Sequence, residues 1–179
     1  MNHLSKLTLL IMLAIGSQAF AQKKPSVVVP NSILPKGGGT TMSAVSATPS
    51  TISFTATDPD LGAVSGSSAA TISWMTSGGS GGNTWSLSVQ ASGTSFAGCA
   101  TVPTSAVTAA CTGVSGGSGG TCGGSVPLST SAQQVASGNE ASGSNKAYSV
   151  TLNFTLADSW SYIANSSCSL SLTYTVTAP

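Results

Sequence analysis

The chain has 179 residues, of which only 5% are charged, and its formal net charge is +1. It contains no arginine, and its single histidine is His3. Phosphate neutralisation needs clustered Lys and Arg, so composition excludes a nucleic-acid partner and a basic membrane-surface helix. Disorder is not implied either, because disordered chains pair low hydrophobicity with high net charge and 40% of this chain is hydrophobic.

The chain opens MNHLSKLTLLIMLAIGSQAFAQ. Lys6 supplies a short positive region, Leu7 to Ile15 is apolar, and Ala19-Phe20-Ala21 is a small-residue cleavage pattern. The apolar run falls short of the about 20 residues that cross a bilayer. Residues 1–21 therefore read as a secretory signal peptide, cut after Ala21. No cysteine follows the cut, so no lipid anchor is expected, and no second apolar segment predicts a membrane span in the mature chain. Cleavage removes His3 and leaves Lys23, Lys24, Lys36 and Lys146 against Asp58, Asp60, Glu140 and Asp158, a formal charge of zero.

Residues 22–48 mix proline, glycine and short apolar runs. Val27–Val29 predicts an edge strand, since Pro25, Pro30 and Pro35 cannot donate to a central ladder. The segment reads as a flexible lead-in to a domain at 49–179, long enough to bury roughly two-thirds of its unfolded surface. That domain alternates at period two. The stripes are Ile52/Phe54/Ala56, Ala70/Ile72/Trp74, Trp85/Leu87/Val89/Ala91, Val107/Ala109/Cys111, Tyr148/Val150/Leu152/Phe154/Leu156 and Cys168/Leu170/Leu172/Tyr174/Val176. Turn-rich stretches separate them: TDPDLG, SGGSGGN, the glycines after Cys111, and SGNEASGSN. Short alternating strands between Gly, Asn and Ser turns predict an all-β chain folded as an antiparallel Ig-like β-sandwich.

Few side chains offer chemistry. SGGSGG occurs twice and places Ser80 and Ser118 in a G-x-S-x-G pattern. A nucleophile elbow needs a histidine base, which the mature chain lacks, and glycine runs match the pattern by chance. Neither run carries the lysine that completes a phosphate-binding loop. No catalytic residue and no cofactor are expected, and the chain reads as a non-enzyme. Asp58-Pro-Asp60 is the one close acid pair, and Asp158 could join it in a calcium site. Calcium takes about six to eight oxygen ligands, and a β-turn built on proline is the simpler reading. Trp160 and Tyr162 stand in a polar stretch between strands. They would stack on a sugar or plug a corner of the sandwich, and the plug is favoured because buried aromatics are the commoner use. Asn165-Ser166-Ser167 matches a glycosylation sequon, read as incidental in a bacterial chain.

Cys99, Cys111, Cys122 and Cys168 lack the C-x₂₋₄-C spacing of zinc sites and the C-x-x-C of redox pairs. An even count in an exported chain predicts two disulfides. Of the three pairings, Cys99–Cys111 with Cys122–Cys168 is favoured, because the first closes a short loop and the second ties the glycine-rich excursion to the last strand.

Two patches resemble bacterial wall-associated domains of the WxL type. Thr84-Trp85-Ser86-Leu87-Ser88-Val89 followed by Ser95-Phe96 is similar to their first motif. The ending from Leu172 to Pro179 is similar to the second, with Tyr174 and Val176 in place of Trp and Leu. The resemblance implies a cell-surface β-sandwich and adds peptidoglycan only to the list of candidate ligands. Export, a sandwich and an apolar N-terminal extension also resemble fimbrial subunits, which implies strand donation by Val27–Val29 or Ile33-Leu34, although prolines interrupt the alternation such a strand needs. The sequence thus predicts an exported, non-enzymatic, disulfide-stapled sandwich that is structural or adhesive at the cell surface or extracellularly. A carbohydrate-binding module using Trp160 and Tyr162 and a filament subunit assembled through residues 22–48 are the alternatives. The expected partners are a surface glycan, another surface protein or further copies of the chain.

Overall fold

The computed structural model describes residues 26–28, 41–43, 45–55, 60, 62–77, 81–143, 145–162 and 168–178. The expectations for residues 1–21, Ala56, Asp58, Ser80 and Asn165 lie outside this set. In chain order the strands are β1 (Ser26–Val28), β2 (Thr41–Met42), β3 (Ser46–Thr48), β4 (Val64–Ser65), β5 (Ala70–Ser77), β6 (Thr84–Ala91) and β7 (Ser95–Phe96). They continue with β8 (Cys99–Pro103), β9 (Val107–Ser115), β10 (Ser118–Cys122), β11 (Val126–Pro127), β12 (Gln133–Asn139), β13 (Lys146–Leu156) and β14 (Ser169–Thr177). A 3₁₀ turn, Thr104–Ala106, stands between β8 and β9. The described chain is all-β, as the period-two stripes predict.

Two sheets carry the fold. One is ordered β1-β14-β6-β12-β10, the other β11-β9-β13-β5-β2, with β3 also on β5 and β4 also on β13. Pairing is antiparallel throughout the long strands, and β1 is the exception, lying parallel to β14 at Ser169–Ser171. β7 and β8 form a small ribbon of their own. β1 pairs with β14, and β2 and β3 pair with β5, so sheet pairing already starts at Ser26, within the stretch read as a lead-in.

The inward stripes are those read from the sequence. Ile72, Leu87, Val89, Val150, Leu152, Leu172 and Val176 are completely buried. Each such side chain contributes about 1.5–3 kcal/mol by leaving water, which is what holds one sheet against the other. Trp74 of β5 meets Trp85 of β6 edge-on with ring centroids 5.1 Å apart, and it stacks on Tyr148 of β13 at 5.5 Å. Ile52 and Phe54 are buried, yet their segment is not the predicted strand. Ser53 instead makes two hydrogen bonds with Ser67, its carbonyl accepting from Ser67 N and its own N–H donating to the Ser67 hydroxyl. The two apolar side chains still reach the core, so period two is kept without a ladder.

The favoured cysteine pairing is corrected. The disulfides are Cys99–Cys168 and Cys111–Cys122, each with Cα atoms 5.2 Å apart. Ala97 and Ser169 exchange backbone hydrogen bonds of 2.8 and 3.0 Å, which carries β8 beside the head of β14 and brings Cys99 to Cys168. β9 lies in one sheet and β10 in the other. The chain turns between them at Gly116 and Gly117, so Cys111 returns opposite Cys122 and the bridge joins one edge of the sandwich. Sequence spacing could not decide, because Cys111 is about as near to Cys122 as to Cys99, and pairing follows which strands are neighbours.

Tyr174 sits in the core with a hydroxyl that has no partner among the described residues. Burial penalises the phenolate and pushes its ionisation well above the ordinary tyrosine range.

Peptide mapping of unreduced protein is expected to recover only Cys99–Cys168 and Cys111–Cys122 fragments. Removing the 69-residue bridge should cost about 4 kcal/mol and the 11-residue one about 3 kcal/mol in denaturant melts. Tyr174 gives a pH signature. The unfolded chain releases this proton near pH 10 while the folded chain keeps it, so its contribution is intact below about pH 10 and is lost as pH rises further. Tyr174→Phe should match or exceed the parent at neutral pH, because it deletes an orphan hydroxyl. Its urea midpoint should also fall less between about pH 8 and about pH 11.

Candidate functional site

The outer faces of both sheets are built from the residues left over by the inward stripes. Because directly paired residues share a face, register decides what they present. On the seven-stranded sheet Ser46 pairs with Ser73, Ser73 with Ser149, and Ser149 with Ser115. The next row is Thr48, Thr71, Thr151 and Gly113. On the other sheet Thr177, Ser86, Ser137 and Thr121 form a row across four strands, and the Thr121 and Ser137 hydroxyls are 3.3 Å apart. The only charged residue within any of the described strands is Lys146, at the first position of β13.

Each face also holds a shallow groove. One, of about 400 Å³, runs over Ser43, Ser46, Ser73, Ser115 and Ser149 with Met75 beside them. Met75 is 46% exposed and is fixed through its backbone, which accepts from Ser43 N at 2.9 Å and donates to the Ser43 hydroxyl at 2.8 Å. The second groove, also about 400 Å³, is lined by Thr84, Ser86, Gln134, Ser137 and Thr177. Neutral hydroxyls spaced by the strand separation of about 4.8 Å offer donors and acceptors to an equally neutral, hydroxylated surface.

The loop after β13 carries the other exposed feature. Asp158 accepts from Ser159 N at 2.8 Å, Ser161 N donates to the Ser159 hydroxyl at 3.2 Å, and Tyr162 N donates to the Ser159 carbonyl at 3.0 Å. These bonds fold Asp158–Tyr162 into a tight turn with Trp160 at its tip. Trp160 is 73% exposed, and its indole N–H reaches the Asp60 carboxylate at 3.5 Å. The favoured corner-plug reading therefore fails for Trp160, while Tyr162 does pack against the core. Nothing in the alternation showed this, because Trp160 lies beyond the end of the stripe. Asp60 is engaged by Trp160, and among the described residues no three His, Cys, Asp or Glu side chains cluster.

Comparison with protein-family models, with curated proteins and with solved structures finds no match, so any function rests on this chain's own chemistry.

Ser118 stands on the exposed strand β10, and the glycines around it have a packing role. Gly116 and Gly117 have φ of +88° and +69°, which L side chains avoid. A Cβ on Gly116 would collide with the Ala147 carbonyl, and one on Gly117 with the Asn139 carbonyl and the Tyr148 ring. Gly138 leaves room for the Trp85 ring in the same way, since a Cβ there would lie 2.6 Å from Cζ2. The glycine run is thus the lid over the Trp74–Trp85–Tyr148 cluster.

Gly116→Ala and Gly117→Ala should each lower unfolding free energy by at least about 2 kcal/mol. Gly124→Ala, where a Cβ meets nothing within 4 Å, should stay within about 0.5 kcal/mol. Equal losses at all three positions in denaturant melts would show that the run is merely a linker.

Proposed function

We propose that this chain is an exported, non-enzymatic, disulfide-stapled Ig-like β-sandwich with a structural or adhesive role at the cell surface or outside the cell. The observation that carries the proposal is the pair of outer faces: in-register hydroxyl ladders on described strands whose one charged residue is Lys146, at the first position of β13. Such faces have little to offer an ionic substrate or a phosphate, and much to offer a neutral polyhydroxylated surface. Two disulfides suit an oxidising compartment. No helix among the described residues is long and apolar enough to cross a membrane.

Exposure of Trp160 favours a second reading, a carbohydrate-binding module. An indole tethered by Asp60 at the tip of a hydrogen-bonded turn is held out to water, where its face can stack on a sugar ring. The two readings converge on adhesion to a glycan and differ in which surface does the work.

Adsorption of the purified, oxidised protein to insoluble neutral polysaccharides tests both. Binding should hardly change between low and about 1 M salt, because no ion pair is screened. Placing charge on the ladder with Ser73→Glu and Ser149→Glu should abolish adsorption if the sheet face carries it. Trp160→Ala should instead weaken it by about tenfold, near 1.4 kcal/mol, if the loop does. A steep loss with salt, or adsorption indifferent to all three substitutions, would refute adhesion through these surfaces.

A further inference from the structure

The two sides of β14 are unequally covered. On one side β6 pairs with it in unbroken register from Leu172 to Thr177. On the other side β1 covers only Ser169–Ser171. Among the described residues no strand pairs with Leu172–Thr177 on that second side. Other long strands at the sheet margins are met by neighbours. β5 carries β2 and β3 along its outer side, and β9 is met by β11 and by the Cys111–Cys122 bridge to β10.

An antiparallel ladder sends the backbone groups of alternate residues to opposite sides. Ser171 O accepts from Ser92 N at 3.0 Å, just past the end of β6, so the odd-numbered residues of β14 face β6. Tyr174 and Val176 therefore turn both N–H and C=O away from β6, while their side chains are already buried in the sandwich. Proteins ordinarily blunt such an edge with lysine, proline or a bulge. β14 has no charged residue and no proline, its ladder to β6 has no register shift, and neither β1 nor β6 carries a charge. The N-terminal segment is ill suited to cover it. Carrying the parallel register of β1 onward sets Pro30 opposite Thr173, where proline has no N–H to give.

We infer that the Leu172–Thr177 edge is a self-association surface, on which a second copy of this chain lays the same stretch antiparallel about a two-fold axis. The ladder fixes the register, because opposed residues share a face and the outward backbone groups belong to the even positions. An axis through Thr175 meets both conditions and stays clear of β1. An axis at Tyr174 would run Thr177 against Ser171, where β1 already lies. With Thr175 on the axis, Tyr174 meets Val176 of the second copy as a hydrogen-bonded pair, and Thr173 meets Thr177. Threonine pairs stabilise a sheet, and no like charges are brought together. A second copy is the partner that fits, since it brings the same neutral edge with the same length and alternation. The contact is isologous, so it closes at two chains instead of growing a filament. It goes beyond the adhesive reading and does not depend on it.

Sedimentation of the oxidised chain from about 10 μM to about 1 mM should show a reversible monomer–dimer equilibrium, as expected of a small, transient interface. Thr175→Lys and Thr175→Glu each set like charges face to face on the axis, and each should weaken the dimer at least about tenfold. Mixed in equal parts, the two variants should recover it as a heterodimer, which a folding defect could not do. A chain that stays monomeric over the whole range overturns the proposal. So does a dimer indifferent to both substitutions, a mixture that fails to recover it, or growth into longer polymers.

Discussion

Trp85 is where the two sheets are joined. Its ring meets Trp74 across the sandwich at 5.1 Å and Tyr148 at 6.2 Å, while the strand beside it must offer a glycine, Gly138, for the ring to lie flat against. A cluster of three large rings near one end of a sandwich leaves little volume for any other side chain. Glycine at 116, 117 and 138 is the answer to that shortage. The run that looks like low complexity in the sequence is therefore the part of the chain with the least freedom to change. The same crowding brings β9 and β10 round a tight turn, and the Cys111–Cys122 bridge holds that turn where glycine alone would leave the backbone loose.

The inward half of β5, β6, β13 and β14 was legible in the sequence, whereas β12, whose buried positions include the adjacent Val135 and Ala136, showed no stripe. Tyr148 to Leu156 and Leu170 to Val176 alternate without a break, and a half-buried strand admits no other reading of such a run. The interrupted places were less legible. Cys111 follows Val107 and Ala109 in the stripe, but the register shifts between Thr151 and Leu152, and Cys111 ends up only half-buried. The cysteine pairing was not legible at all, because it depends on β8 lying beside β14, a contact between segments about 70 residues apart that no local pattern records.

For the candidate surfaces the signal was present but was read as remainder. Stretches such as SLSLTYTVT and SVTLNFTL state the outer face as plainly as the inner one. Reading only the apolar positions leaves Ser and Thr as filler, whereas register turns them into rows. Trp160 and Glu140 show the opposite limit. The tryptophan of the loop after β13 is expected inside and lies outside, and Glu140 of SGNEASGSN, a stretch read only as a turn, lies within the core. Both outcomes are set by what the neighbouring loops do, and loops carry no periodicity.

Strands with almost no charge have a collective effect that a single molecule does not reveal. Proteins usually hold their neighbours off through like charge, over a distance set by the ionic atmosphere of about 8–10 Å. With a formal charge of +1 on 179 residues, this chain has almost no such field. Copies sharing one surface would be held apart only by hard contact and by the water bound to their hydroxyls. A coat made from them could therefore be laid down at close to its steric limit, with a density that does not respond to the salinity of its surroundings.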